Sequence, residues 1–104
     1  MDRINKLKEM LEVEANDSFL QHALALEYIK IGNESEAKRL FIEILGREPN
    51  YLGSYYHLGK LLERIGEIKK AIEIYKKGID VARAANDRHS FNELQNALEE
   101  AQDE

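Results

Sequence analysis

The feature that most constrains this chain is an internal repeat with a spacing of 34 residues. Shifting residues 18–49 by 34 positions onto residues 52–83 aligns four identical pairs and also aligns the aromatic residues Phe41 and Tyr75. The identical pairs are Leu24 with Leu58, Ile31 with Ile65, Gly32 with Gly66 and Ala37 with Ala71. Because each copy has apolar residues at helical spacing on both sides of a glycine turn, the pattern predicts a helix-turn-helix unit that occurs twice.

Helical spacing of apolar residues extends over nearly the whole chain, and strand-like alternation is not convincing anywhere. Short polar or glycine-containing turns separate six predicted helices of about 11–15 residues each. Gly32 and Gly66 are predicted to end helices in the left-handed conformation that glycine adopts without strain. Four turn residues are predicted to cap the helix that follows them, namely Asp17, Asn33, Asn50 and Asp87.

Gly59 lies inside a predicted helix, where glycine costs up to ~1 kcal/mol relative to alanine. Its repeat equivalent is Ala25, and the partner helices carry Ala37 and Ala71 early in their sequences. We therefore predict that small residues at matched points let two helix backbones approach closely, with the aromatic residue filling the space one turn further on. The cost in helix propensity is then offset by closer packing.

These residues resemble the tetratricopeptide repeat family, whose pattern is W-x2-L-G-x2-Y, then A-x3-F, then P. The first unit has glutamine at the initial aromatic position, and the second unit lacks the closing proline. The matching residues of the first unit are Leu24, Ala25, Tyr28, Ala37, Phe41 and Pro49. Those of the second unit are Tyr55, Leu58, Gly59, Leu62, Ala71 and Tyr75.

The resemblance implies an all-α fold, in which antiparallel helix-turn-helix repeats stack as a short right-handed α-solenoid of about six helices. We expect a single domain over residues 1–104. Its predicted parts are an N-terminal helix at 3–15 left from a decayed repeat, repeat 1 at 18–49, repeat 2 at 52–85, and a capping helix at 88–102. The last helix has one apolar stripe and an otherwise polar surface, which is typical of a cap; a docking helix for another chain is the alternative.

Composition argues against several classes of function. The chain has 15 basic and 20 acidic residues and a net charge of −5, which disfavours non-specific binding to nucleic acid. It has no apolar run of the ~20 residues that a membrane span requires, and its N-terminus is charged, so we expect a soluble, cytoplasmic protein that does not bind membranes. With three histidines, no cysteine and no phosphate-binding or nucleophile motif, we expect no catalytic residues, metal or cofactor.

The resemblance implies that the first helices of successive repeats line a concave groove that holds a peptide or a partner helix. Residues at i, i+3, i+7, i+10 and i+11 of each first helix share one face and are not needed for the core. The predicted groove residues are Phe19, His22, Leu26, Ile29 and Lys30 in repeat 1, and Tyr56, Lys60, Glu63 and Arg64 in repeat 2.

We therefore predict an adaptor or scaffold module that binds another protein or peptide. An apolar anchor of the ligand would meet Phe19, Leu26 and Tyr56, and an acidic residue would lie near Lys60 or Arg64. One alternative is that Phe19, Leu26 and Ile29 pack against the N-terminal helix or a second copy. The wider alternative is a self-associating structural protein, such as a homodimer formed through exposed apolar faces.

Overall fold

A computed structural model of the chain, which describes residues 2–103, is helical in the way the sequence predicts. The all-α prediction is confirmed, because residues 2–103 form six helices joined by short turns. The helices are α1 (Arg3–Val13), α2 (Ser18–Lys30), α3 (Glu34–Arg47), α4 (Leu52–Arg64), α5 (Ile68–Ala84) and α6 (Arg88–Gln102). α1 ends at Val13, two residues before the predicted end at 15.

The helices form two compact units. The N-terminal unit ends at Glu48 and contains α1, α2 and α3, with α2 packed against both of its neighbours. The C-terminal unit begins at Pro49 and contains α4, α5 and α6, which all pack against one another. The division into one domain of two repeats and two flanking helices stays a prediction.

Three helices end with the same arrangement of backbone hydrogen bonds. Gly32 after α2 and Gly66 after α4 have φ values of +80° and +88°, which confirms the predicted left-handed turns. Asn86 after α5 has a φ of +56° and performs the same function without glycine. In each case the next N–H donates to a carbonyl five residues earlier. These bonds join Asn33 to Tyr28, Glu67 to Leu62 and Asp87 to Ala82 at 2.9, 2.8 and 3.0 Å.

The predicted helix caps are confirmed at three of the four positions. The side chains of Asp17, Asn33 and Asp87 accept hydrogen bonds from backbone N–H groups three residues later. The prediction for Asn50 is wrong, because α4 begins at Leu52 and its N-cap is Tyr51, which makes no side-chain cap bond. Asn50 thus precedes the capping position by one residue.

Gly59 confirms the predicted close packing, but its neighbour differs from the one expected. A Cβ atom at Gly59 would lie 2.6 Å from Cζ and 2.7 Å from Cδ1 of Tyr75, where ordinary contacts begin at 3.4 Å. The space is therefore taken by the aromatic ring of α5, not by the helix backbone around Ala71. Tyr75 and Ala71 are both fully buried.

Gly78 is a second close-packing glycine, which the sequence reading missed. It lies on α5, and a Cβ atom there would be 2.8 Å from Cβ of Tyr55 on α4 and 2.9 Å from Cδ1 of Leu94 on α6. Because Gly78 has no side chain, α5 can pack closely against α4 and α6 at the same position along its length. Tyr55 in turn donates its hydroxyl hydrogen to the carbonyl of Pro49 at 2.7 Å.

The N-terminal unit has a polar cluster where the family pattern expects an aromatic residue. Gln21 and Ser18 on α2 are buried, at 4% and 5% exposure. The Gln21 amide donates to Glu43 Oε1 at 3.1 Å, and Arg47 donates to Ser18 Oγ at 2.8 Å and to the Gln21 carbonyl. Ser18 donates to the carboxylate of Glu48. These bonds connect the start of α2 to the end of α3, and they satisfy polar groups whose burial would otherwise be costly.

Candidate functional site

The predicted groove residues of repeat 1 lie on α2, in the N-terminal unit. Phe19 is 70% exposed, so it is not buried against α1, which contradicts that alternative for this residue. Leu26 and Ile29 are half-buried on the same face. His22 is half-buried too, and its ring meets the ring of Phe41 edge to face, with the centroids 5.5 Å apart. The α2 face therefore presents an aromatic ring to solvent with apolar side chains beside it.

Lys30 lies at the C-terminal end of the α2 face, and its charge is already paired. Its Nζ lies 3.1 Å from Glu27 Oε2, and Arg3 of α1 lies 3.4 Å from the same oxygen. Glu27 is thereby shared between two cations, and only 18% of its side chain is exposed. Because these cations are solvent-exposed, each ion pair stabilises the unit only modestly and is easily exchanged.

The predicted groove residues of repeat 2 lie on α4, where Lys60 is the centre of a charge cluster. Its Nζ lies 3.6 Å from Glu100 Oε1 on α6 and 4.0 Å from Glu63 Oε2 on α4. It also lies 5.7 Å from the ring centroid of Tyr56, within reach of a cation–π interaction. The structure thus brings three predicted residues together, while Arg64 lies on the exposed end of the same helix.

The cluster includes two groups that the sequence reading missed, Glu100 and the hydroxyl of Tyr75. Tyr75 is fully buried and donates its hydroxyl hydrogen to the carboxylate of Glu63. Burial, followed by this bond to a carboxylate, raises the pKa of the Tyr75 phenol well above its usual range. The sequence contains one signal for the hydroxyl. Position 75 is tyrosine where the first repeat has Phe41, and a buried hydroxyl requires a hydrogen-bond partner. Glu100 lies in α6, the helix that the sequence predicts to be a cap.

His57 lies beside this cluster and is half-buried. Burial lowers its pKa, and the carboxylate of Glu93 on α6 opposes that shift. The imidazole is therefore mostly neutral at pH 7, and the α4–α6 surface gains little positive charge from it. Its ring meets that of Tyr56 at right angles, with the centroids 5.5 Å apart.

Among residues 2–103, no group of three or more histidine, cysteine, aspartate or glutamate side chains is arranged to hold a metal ion. In the same residues, no helix is both long and apolar enough to cross a bilayer.

Comparison with known proteins decides the family. A tetratricopeptide repeat model matches residues 52–84, the α4–α5 pair. A tetratricopeptide repeat domain protein from Salinibacter ruber, solved by crystallography, is 44% identical. The match covers 83% of this chain and 96% of that one, with a TM-score of 0.79. The chain belongs to the tetratricopeptide repeat family.

Other tetratricopeptide repeat structures share the fold at lower identity. The TPR2B domain of yeast Sti1, solved in a complex with pHsp70, has a TM-score of 0.88 at 17% identity. That match covers 96% of this chain and 80% of the Sti1 domain chain. A protein from Bordetella parapertussis has a TM-score of 0.84 at 22% identity, covering 98% and 89% of the two chains. At these identities the likeness concerns the fold alone, and it confirms the predicted helical-repeat class.

Two curated relatives are much longer proteins. Mouse interferon-induced protein with tetratricopeptide repeats 3 is 28% identical over 76 residues, which is 73% of this chain and 19% of that protein. Human aspartyl/asparaginyl beta-hydroxylase is 28% identical over 85 residues, which is 82% of this chain and 11% of that protein. The chain therefore spans less than a fifth of the length of each.

Proposed function

We propose that this tetratricopeptide repeat protein is a non-enzymatic interaction module that binds a peptide or helical segment of another protein through the predicted groove residues, which lie on one face of α2 and one face of α4. The observation that carries the proposal is the exposure of Phe19, an aromatic side chain on α2 that is 70% exposed. Exposed aromatic residues next to apolar neighbours are typical of binding surfaces.

The α2 face supplies the apolar part of the recognition. Phe19 is the anchor, with Leu26 and Ile29 half-buried beside it on the same face. Their remaining exposed area is available to an apolar side chain of the ligand. Burying an aromatic or leucine side chain of a ligand at this face would contribute about 1.5–3 kcal/mol, which is one part of the binding free energy.

The α4 face supplies the polar part. Lys60 stacks near Tyr56 and shares its charge with Glu63 and Glu100. The Glu100 side chain is 73% exposed, so its pair with Lys60 is worth little, and a carboxylate of the ligand can replace it on Lys60. Glu63 stays in place because the buried Tyr75 hydroxyl is bonded to it. An acidic residue of the ligand is therefore expected near Lys60.

The comparisons support a binding role without naming the partner of this chain. Tetratricopeptide repeat domains are protein-interaction modules, and the Sti1 domain was solved with a partner, pHsp70. By analogy we infer an adaptor or scaffold role in the cytoplasm, with no cofactor and no nucleic-acid or membrane ligand. The match to a hydroxylase covers only 11% of that enzyme and does not change this inference.

Quantitative partner capture tests the proposal. Immobilised wild-type protein and a Tyr56→Ala/Lys60→Glu variant are exposed to the same lysate, and bound proteins are compared by mass spectrometry. The matched control is Lys76→Glu, which changes the same charge on an exposed part of α5 away from the α4 face. We expect the groove variant to lose specific partners that the control keeps. Equal capture by all three proteins would show that the groove assignment is wrong.

Self-association is the second candidate, and a specific observation favours it. Several large apolar side chains outside the core are exposed, and a second copy of the chain could cover some of them. They are Met10, Val13, Phe19, Ile31, Ile42 and Ile65. Sedimentation at several concentrations separates the two functions: a monomer throughout the micromolar range excludes self-association, whereas a concentration-dependent dimer supports it.

A further inference from the structure

The N-terminal unit has an apolar pocket that the groove does not include. It has a volume of about 380 Å³ and lies where the end of α1 meets the start of α2. Its apolar lining consists of Met10, Val13 and Leu20, and its acidic lining consists of Glu14 and Asp17. Val13 is 86% exposed and Met10 is 46% exposed. Two neighbouring apolar side chains therefore face solvent next to two carboxylates.

The repeat register shows that the position of Met10 is a buried one in the two repeats. The 34-residue shift places Met10 in register with Ile44 of α3 and Gly78 of α5. Ile44 is fully buried, and Gly78 is buried so closely that a Cβ atom there would lie 2.8 Å from Cβ of Tyr55 on the preceding helix. In both repeats this position of the second helix is thus covered. On α1 the equivalent position, Met10, is exposed.

The charge around the pocket selects the kind of helix that fits. Residues 9–17 contain Glu9, Glu12, Glu14 and Asp17 and no lysine or arginine. The preceding basic residue, Lys8, is directed at the ring of Tyr28, 5.9 Å from its centroid. Two copies of this chain that met through this flank would bring like charges together. A helix with basic residues beside its apolar stripe would instead be attracted.

We propose that the pocket formed by Met10, Val13, Glu14, Asp17 and Leu20 is a docking site for a basic amphipathic helix of a partner protein. One large apolar side chain of the partner fills the pocket, and lysine or arginine residues one turn away pair with the carboxylates. This mode of recognition is helix in groove, with the charges setting the specificity. None of the five lining residues is among the predicted groove residues.

A pair of synthetic peptides tests the proposal directly. One is an acetylated and amidated leucine/lysine helix, and the other has the same leucine pattern with glutamate in place of lysine. Each is titrated into the ¹⁵N-labelled full chain at physiological salt, and amide shifts are followed. The lysine peptide should move the amides of residues 10–20 and bind at least about tenfold more tightly than the glutamate peptide.

A matched pair of variants tests the apolar lining of the pocket. Met10→Gln/Val13→Ser removes the apolar lining and should weaken the lysine peptide at least about tenfold. Its control is Ile31→Ser/Ile42→Ser, which changes two exposed isoleucines that do not line the pocket. Thermal melts of both variants check that the fold is retained, because all four side chains are exposed and their replacement should leave stability nearly unchanged.

A charge-matched pair of variants tests the acidic rim. Glu12→Gln/Glu14→Gln changes one lining carboxylate and one acidic neighbour, and it should weaken the lysine peptide. Glu99→Gln/Asp103→Asn, in α6 and at its C-cap, makes the same change in net charge and should leave the peptide's binding unchanged. The proposal is overturned if both peptides bind equally, if the shifts centre on other residues, or if each control is as damaging as its test variant. A dimer that dissociates in Met10→Gln/Val13→Ser would assign the pocket to a second copy and would equally refute a basic partner.

Discussion

Replacing Gly59 by alanine tests the main packing argument, because the substitution adds a single methyl group. In an open helix the change is favourable, by up to about 1 kcal/mol of helix propensity. In this protein the new Cβ would lie 2.6 Å from Cζ and 2.7 Å from Cδ1 of Tyr75. The ring would have to move by roughly 1 Å to restore an ordinary contact, and overpacking of this kind costs about 1–3 kcal/mol.

The ring of Tyr75 has little freedom to make that movement. It is fully buried, and its hydroxyl is held by the carboxylate of Glu63. The overpacking cost should therefore fall in the upper half of the range, which leaves Gly59→Ala about 1–2 kcal/mol less stable after the gain in propensity. For a chain of this size that corresponds to a melting temperature lowered by roughly 5–15 °C in a thermal melt followed by circular dichroism.

Gly46 provides the matched control. It is also inside a helix, α3, but it is exposed, and a Cβ atom there would meet nothing within 4 Å. Gly46→Ala should raise the free energy of unfolding by up to about 1 kcal/mol. In a Tyr75→Leu background, Gly59→Ala should cost much less than in the wild type. A Gly59→Ala protein that melts at or above the wild-type temperature would refute the reasoning.

Three further predictions concern helix ends and the buried phenol. Gly66→Ala should lower the free energy of unfolding by about 1 kcal/mol because of its φ of +88°, whereas Asn86→Gly should raise it by a few tenths to about 1 kcal/mol; thermal melts measure both. Asp87→Ala should lower the melting temperature at pH 7. Two hydrogen bonds from the first turn of α6 hold the pKa of Asp87 below its usual value of 3.8. Its contribution is therefore present above about pH 4 and is lost as pH falls through the folded pKa, so the difference between variant and wild type should shrink in acid. Tyr75→Phe should cost about 1–2 kcal/mol in urea denaturation at pH 7 by removing the bond to Glu63. The pKa of the Tyr75 phenol is raised, whereas that of Asp87 is lowered, so the pH dependence runs in the opposite direction. The contribution of the Tyr75 phenol to the free energy of unfolding should therefore be lost in the wild type as pH rises above 10, and the Phe variant should not show this loss.

Most of the fold could be predicted from the sequence because the repeat shows the same packing and turn positions twice. Gly32 and Gly66 occur at equivalent positions, and both adopt the left-handed turn that glycine permits. Asn86 ends α5 in the same way but has no equivalent glycine, so composition alone did not reveal it. Asn50 failed as a cap because a shift of one residue in the start of α4 moves the side chain out of reach, and apolar spacing does not fix a helix end that precisely.

The candidate site was only partly predictable, since the sequence shows which residues share a helix face but not which charges meet between helices. Tyr56, Lys60 and Glu63 follow from spacing along α4. Glu100 meets Lys60 only because α6 packs against α4, a tertiary contact that no local pattern encodes. The pocket beside Val13 was missed for a related reason. Its exposure depends on what covers α1, and helical periodicity alone does not indicate that.

The two repeats also show how the same backbone accepts different side chains when two positions change together. Tyr55 packs its ring against Gly78, so a large residue on the first helix meets the smallest one on the second. The 34-residue shift relates Tyr55 to Gln21 and Gly78 to Ile44, so two side chains of similar size stand where the second repeat has a large one and none. Ile44 fills the N-terminal unit where Gly78 leaves space for a ring, and Gln21 uses its amide in a buried polar cluster instead. Read alone, Gln21 was a departure from the family pattern. Ile44 changes together with it, and the buried hydrogen bonds of Gln21 to Glu43 and Arg47 stand where the second repeat has the ring of Tyr55.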